Sequence, residues 1–342
     1  MTEPLLLRLV AAHLGPQRAG ALVGGLHLHP SLLAGPADTG GNVPRAVLAQ
    51  ALGVLLLQDL LDRVPSAAAY AEERLAGGGT LFLDHGAVRT VTGVDCGSLP
   101  PGQEALARVL VPLGYVHRFT YDLAALGMTG RSWCHQDLPA HVPQYFVSEL
   151  HADRFSPAFQ AAAARVLRTS ADPVDDVASA HLARLGARRE LEPAQAEELL
   201  AVLVGCFGRH HGEPDEADYE ALLAESDEMA WIATEGTAFN HATDRVDDVV
   251  AVAEAERAAG RPVKDEVEVS GSGRILQTAH RAATVARPFR RGGATVTRTV
   301  PGSFFELITR RPLPDGSGPD LAFDAANAQQ IFTMTRRSAG AG

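Results

Sequence analysis

The sequence predicts an α+β fold in which two βαβββ modules share one core, with a helical layer before them and a helical insert between them. Three observations predict it. A strand, a helix and further strands follow one another twice, in residues 76–155 and again in 229–312. The stretch between them, 156–228, is rich in Ala, Leu and Arg at helical spacing. At 342 residues the chain exceeds the usual size of one domain, so paired modules are the natural arrangement.

Residues 1–75 carry Leu, Val and Ala at helical spacing, broken by turn-forming stretches such as "GPADTGGNVP". Three glycines at 77–79 then mark the change to "TLFLDHGAVRTVTGV", whose β-branched residues suit a strand. "GQEALARVLVPLG" reads as a helix ended by Gly114, and "YVHRFTYDL" and "QYFVSELH" as strands around a loop, "GMTGRSWCHQDLPAHVP". In the second module "MAWIATEGTAFNHA" reads as a strand that His241 closes. The helix "DDVVAVAEAERAAG" follows, capped by Asp244 with Asp247 and Asp248 in its first turn. "GRILQTAHRAATVA" and "GATVTRTVPGSFFELITR" read as strands, and 313–342 as a closing helix and tail behind an Asp324 cap.

The net charge of −11 is spread over short acidic clusters and excludes the basic stripe that nucleic acid or an acidic membrane requires. The most apolar run, residues 46–61, is interrupted by Gln50, Gln58 and Asp59 and is too short to span a bilayer. No export signal is read at the amino terminus. The three cysteines, Cys96, Cys134 and Cys206, are widely spaced and form no disulfide framework, which fits a reducing cytoplasm.

If the modules pack side by side, their first strands become neighbours and bring His85 and His241 together, with Glu306 on the last strand of the second module. Two imidazoles and a carboxylate form a facial triad that leaves coordination positions open, and iron(II) is the leading ion for such a donor set. Other groupings are available: Glu149 with His151 at i and i+2, and Cys134 and His135 near His141. These read better as residues that order the sheet and a loop near the site. His210 and His211 read as solvent-facing and His27 and His29 as packing.

The stretches "FLDHGAVRTV", "LGMTGRSWCHQDLPAHVPQYFVSELHADRFS", "WIATEGTAFNHATDRV" and "VPGSFFELITR" resemble the 2-oxoadipate dioxygenase/decarboxylase family of the vicinal-oxygen-chelate superfamily, from about residue 5 to 336. The resemblance implies a curved sheet or partial barrel, metal ligands His85, His241 and Glu306, Fe(2+) as cofactor, and Arg89 as the substrate arginine. Gln277 would be a further pocket residue by superfamily analogy. The implied reaction cleaves 2-oxoadipate with O2 to 2-hydroxyglutarate and carbon dioxide, a step of lysine catabolism, in the cytoplasm. A 2-oxo acid has a carboxylate and a keto oxygen with which to chelate such an ion.

On one strand His85 and Arg89 face the same way, about 13 Å apart at roughly 3.3 Å per residue, so Arg89 can meet the far carboxylate of a diacid. Asn240 and Thr243 are placed to support the ligands. Only 36 residues follow Glu306, fewer than in longer members of the family, which leaves the length of the 2-oxo acid open, as the oligomeric state is. Two alternatives remain at this point: another vicinal-oxygen-chelate dioxygenase, which the 6% aromatic content and Arg89 disfavour, and a non-catalytic binding protein on the same fold.

Overall fold

The computed structural model describes residues 3–324. Helices α1 (Leu5–Leu14), α2 (Pro16–Gly24), α3 (Arg45–Arg63) and α4 (Pro65–Ala76) come first, with the two-residue strand β1 (Val43–Pro44) ahead of α3. Then follow β2 (Leu83–Thr92), α5 (Glu104–Leu110), β3 (Tyr115–Leu123), β4 (Met128–His135) and β5 (Gln144–His151). Helices α6 (Pro157–Leu167), α7 (Asp176–Arg188), α8 (Pro193–Gly205), α9 (Glu216–Leu223) and α10 (Asp227–Glu235) come next, with β6 (Glu190–Leu191) paired to β1. The chain continues through β7 (His241–Arg245), α11 (Val249–Ala258), β8 (Glu268–Val269), β9 (Ile275–Ala279), β10 (Thr284–Arg291), β11 (Ala294–Pro301) and β12 (Phe304–Arg310).

One curled sheet of eight strands, in the order β3-β4-β5-β2-β7-β12-β9-β8, forms a half-barrel, while β10 and β11 make a separate hairpin. The order is the same outward from the centre on both sides. β2 runs parallel to β5 and β7 parallel to β12, and β2 and β7 meet antiparallel at the seam. At that seam Gly86 pairs with Ala242, His85 with Thr243 and Ala87 with His241. A two-fold through Gly86 and Ala242 therefore carries His85 onto His241. It also carries Phe146, paired with Ala87, onto Glu306, paired with Thr243.

The first strands of the two modules are thus neighbours, as expected from the repeated pattern. Gly86 makes the seam close: a Cβ there would lie 2.2 Å from Cζ of the buried Phe239 ring. Gly86→Ala is expected to destabilise the protein by about 1–3 kcal/mol through overpacking, read as a lower midpoint in urea with an unchanged slope.

The central strands β5, β2, β7 and β12 are buried on both sides, whereas the edge strand β3 is largely exposed. Against one face pack α3 and α4, with α1 and α8 on α3 and α7 on α8 behind them, and this layer includes Leu6, Leu48, Leu52, Leu56, Leu185 and Leu199. Helix α3 is apolar nearly all round, as a helix inside a core must be. A second apolar cluster gathers Phe146, Leu150, Phe159, Leu222, Trp231 and Phe289 from β5, α6, α9, α10 and the hairpin.

Several sequence expectations are corrected. "MAWIAT" is not strand but the body of α10: Ser226 caps it by accepting from Met229 N, Asp227 and Glu228 occupy its first turn, and Gly236 at φ 67° ends it. Its residues from Glu228 to Glu235 are all buried, so no polar face marks a helical period. His241 consequently opens β7 instead of closing a strand. Helix α11 is capped by Asp248, whose Oδ1 accepts from Val250 N and Ala251 N. Asp244 is buried instead, accepting from Tyr70 Oη and Phe82 N, and burial raises its pKa to about 6.

The stretch read as a loop between the strands of the first module contains β4. No helix forms in 313–324, and the rest of the expected closing helix lies outside the described residues. His211 is buried against the Gly212 and Ile232 carbonyls, and His210 is half-buried beside Thr237, so neither is the solvent-facing group expected.

His135 is a core histidine. Its Nε2 donates to Leu113 O at 3.0 Å, while Nδ1 accepts from the amides of Asp137 and Leu138, an arrangement that only the neutral ring satisfies. Burial pushes its pKa down to about 4. Between that value and the ordinary histidine value near 6.5, the unfolded chain binds a proton that the folded one does not. Stability is therefore lost as pH falls through that window, by on the order of 3 kcal/mol from this group. Urea unfolding at pH 7 and pH 4.5 checks it, with His135→Gln expected to show a smaller pH dependence.

Candidate metal centre

The structure brings His85, His241 and Glu306 together at the seam. One nitrogen of each imidazole and one carboxylate oxygen all lie within 4.8 Å of one another. Among the described residues, theirs is the one group of three or more such side chains gathered closely enough to hold an ion. His85 Nε2 stands 3.2 Å, and His241 Nε2 3.5 Å, from Glu306 Oε2.

Each ring is oriented from behind. His85 Nδ1 donates to Asp84 Oδ1 at 2.9 Å, which leaves the Nε2 lone pair facing the centre. Asp84 is held in turn by Arg245 Nε at 2.6 Å and by Arg310 Nε, which donates to both of its oxygens. Burial alone would raise its pKa, but these two cations hold it well below the carboxylate range. Burial opposes a charge on His85 as well, yet its bonds to Asp84 and Glu306 carry its pKa above the usual value. His241 has only Asn240 Oδ1, at 3.4 Å from Nδ1, and burial pushes its pKa down to about 3, so it is neutral.

Thr243 Oγ1 lies 3.1 Å from His85 Nε2 and donates to Glu306 Oε2 at 2.7 Å. The other oxygen, Glu306 Oε1, is buried without a hydrogen-bond partner. A buried carboxylate oxygen so left is costly unless a cation completes it, and two imidazole nitrogens beside it suit a divalent first-row metal, which would take the place of a proton on His85 Nε2. The two-fold puts Phe146, an apolar ring, at the position equivalent to Glu306. The site therefore has three donors where full symmetry would give four, and the side toward Phe146 is open for a ligand.

A cavity opens on these residues, lined also by Arg89, Ser148, Gln277 and Phe323. Arg89, which is buried, lies with its guanidinium carbon 5.0 Å from the centre of the Trp231 ring. Burial lowers its pKa to about 10, against the pull of Glu228 and Asp227, so it remains charged at neutral pH. Gln277 reaches the cavity from β9 and donates to Glu268 Oε2.

The other groupings do not converge. Glu149 accepts from Gln103 N and Arg131, and His151 bonds Thr129 across the sheet. Cys134 bonds Gln144, and His141 packs near Phe82. Sequence reasoning missed the walls Phe146 and Phe323 and the clamp of Arg245 and Arg310 on Asp84. Only the strand register could have given the equivalence of Phe146 with Glu306.

Comparison with known proteins bears on the fold and the family. A protein of Ralstonia eutropha JMP134 described as belonging to the glyoxalase superfamily superposes with a TM-score of 0.90 at 49% identity, over 95% of this chain and 100% of that one. The rice hydroxyglutarate synthase crystallised with 2-oxoadipate shares the fold with a TM-score of 0.66 at 22% identity, over 85% of this chain and 93% of that one. The chloroplastic/amyloplastic 2-oxoadipate dioxygenase/decarboxylase of Oryza sativa subsp. japonica is 25% identical over 315 residues, 82% of this chain and 78% of that protein. Residues 58–334 match the family model for 2-oxoadipate dioxygenase/decarboxylase, and the chain belongs to that family of enzymes.

Proposed function

We propose that this protein is a cytoplasmic Fe(II)-dependent dioxygenase/decarboxylase. It converts 2-oxoadipate, or a 2-oxo diacid of neighbouring length, and O2 to the hydroxy acid one carbon shorter and carbon dioxide, in the breakdown of lysine. The observation that carries the reading is the convergence of His85, His241 and Glu306, with an orphaned carboxylate oxygen, beside a buried arginine in one cavity. The rice relative's name and its fold relative's bound 2-oxoadipate support the choice of substrate.

Held by the two imidazoles and the carboxylate, Fe(II) would supply the chelation point for the 2-oxo acid and the electrons that activate O2. The chain's own residues do the rest. Asp84 keeps the His85 proton on Nδ1 and Asn240 takes that of His241, so both Nε2 lone pairs face inward. Arg89 meets the distal carboxylate as a bidentate partner and fixes the distance from it to the reacting carbons. Phe146 and Phe323 exclude water from the reacting end.

The test is anaerobic loading with Fe(II), followed by oxygen-electrode and product assays over 2-oxo diacids of several lengths. One O2 consumed for each 2-hydroxyglutarate formed from 2-oxoadipate is expected. No oxygen uptake with any diacid would sink the proposal.

A further inference from the structure

Arg310 stands at the end of β12 with its side chain wholly buried, and its guanidinium bonds in two directions. Through Nε it donates to both oxygens of Asp84, the carboxylate that orients His85, with Nη2 2.9 Å from Oδ1. Through Nη1 it donates to Asp320 O and Ala322 O, both at 2.8 Å. Its guanidinium carbon lies 5.1 Å from the centre of the Phe323 ring. That ring stands edge-on to His85, with centroids 4.8 Å apart at 84°, and 5.0 Å from Phe146. Phe323 N donates to Tyr121 Oη at 3.0 Å.

One rigid fork therefore ties the ligand's orienting carboxylate to the backbone that lays an aromatic ring on that same ligand. A lysine has three donors on a single point and cannot span the carboxylate and two carbonyls with this geometry. Arg245, by contrast, holds Oδ2 of Asp84 while its remaining bond goes to Ala140 O and not to the 320–324 backbone.

We propose that Arg310 is a positioning residue that couples the seating of Asp320–Asp324 on the site to the orientation of His85, so that metal binding and closure of this segment favour each other. The inference rests on the reading of His85 as a metal ligand. Reciprocity follows from linkage: if the seated segment strengthens metal binding, bound metal must seat the segment more firmly by the same factor.

The experiment uses Co(II) alone, titrated by its visible absorption, together with hydrogen exchange of the peptide covering residues 312–324. In the wild-type protein Co(II) is expected to slow exchange at Ala322 and Phe323. Arg310→Lys should weaken Co(II) binding by about tenfold or more, speed exchange in the segment, and abolish the slowing by Co(II). Arg245→Lys should weaken Co(II) binding similarly and keep the slowing.

Exchange that is indifferent to Co(II) in the wild type overturns the coupling without recourse to any variant, as does slowing that persists in Arg310→Lys. Because neither measurement uses a 2-oxo acid or O2, loss of the coupling with Co(II) still bound leaves the oxygenase reading standing. Failure of the wild type to take up Co(II) overturns both.

Discussion

Replacing His241 with alanine is expected to reduce 2-oxoadipate-driven oxygen uptake below detection and to weaken metal binding by at least about a hundredfold. Loss of a residue that merely supports a ligand already costs ten- to a hundredfold, and His241 is proposed as a ligand itself. Among the described residues no third imidazole joins His85 and Glu306 to take its place. The ring's one hydrogen-bonding contact behind it is 3.4 Å to Asn240, and it packs on the Phe304 ring at 4.7 Å, so the metal-free variant should still fold and melt somewhat below the wild type. An oxygen electrode and Co(II) titration, run beside a melting curve, separate loss of the site from loss of the fold. Full turnover in this variant would refute the ligand set.

Arg89→Ala is expected to lower kcat/KM for 2-oxoadipate by about 2–5 kcal/mol, or roughly thirtyfold to several thousandfold, the usual consequence of removing one partner of a buried charged pair. Most of the loss should lie in KM, because the distal carboxylate is remote from the carbons that react and its binding is nearly the same before and during the chemistry. Preference for 2-oxoadipate over 2-oxohexanoate, which lacks that carboxylate, should collapse. Arg89 is also the buried cation near Glu228, itself only 3% exposed, so the alanine variant loses stability as well. Arg89→Lys keeps the charge without the fork, and it should retain the fold and recover part of the diacid preference. Equal losses for the two substrates would show that Arg89 does not read the second carboxylate.

The parts of this protein legible in sequence are those where local pattern and final environment agree. His85 and Arg89 lie on a strand whose β-branched residues announce it, and both line the cavity. The repeated order of strand, helix and strands gave the seam, and with it the meeting of His85 and His241. Helix α10 was misread because Trp231, Ile232 and Thr234 favour strands, and its complete burial removes the polar face that would betray a helix. β4 was misread because Gly127, Gly130 and two nearby prolines resemble loop punctuation, although its neighbours supply both edges of its ladder.

The support behind the ligands was less legible still. Arg310 and Asp84 are 226 residues apart in the chain, and nothing in their local sequence pairs them. Phe323 belongs to a segment without helix or strand, so no period points it at the cavity.

The seam has a thermodynamic corollary. One half of the sheet brings a single donor to the centre and the other half brings two, so a cation bound there acts as a clasp between them, and its affinity becomes part of their cohesion. At a free concentration a hundred times the dissociation constant, such a clasp would add about 2.7 kcal/mol to the resistance against unfolding. Chelators would then lower the melting temperature before any assay of turnover was run.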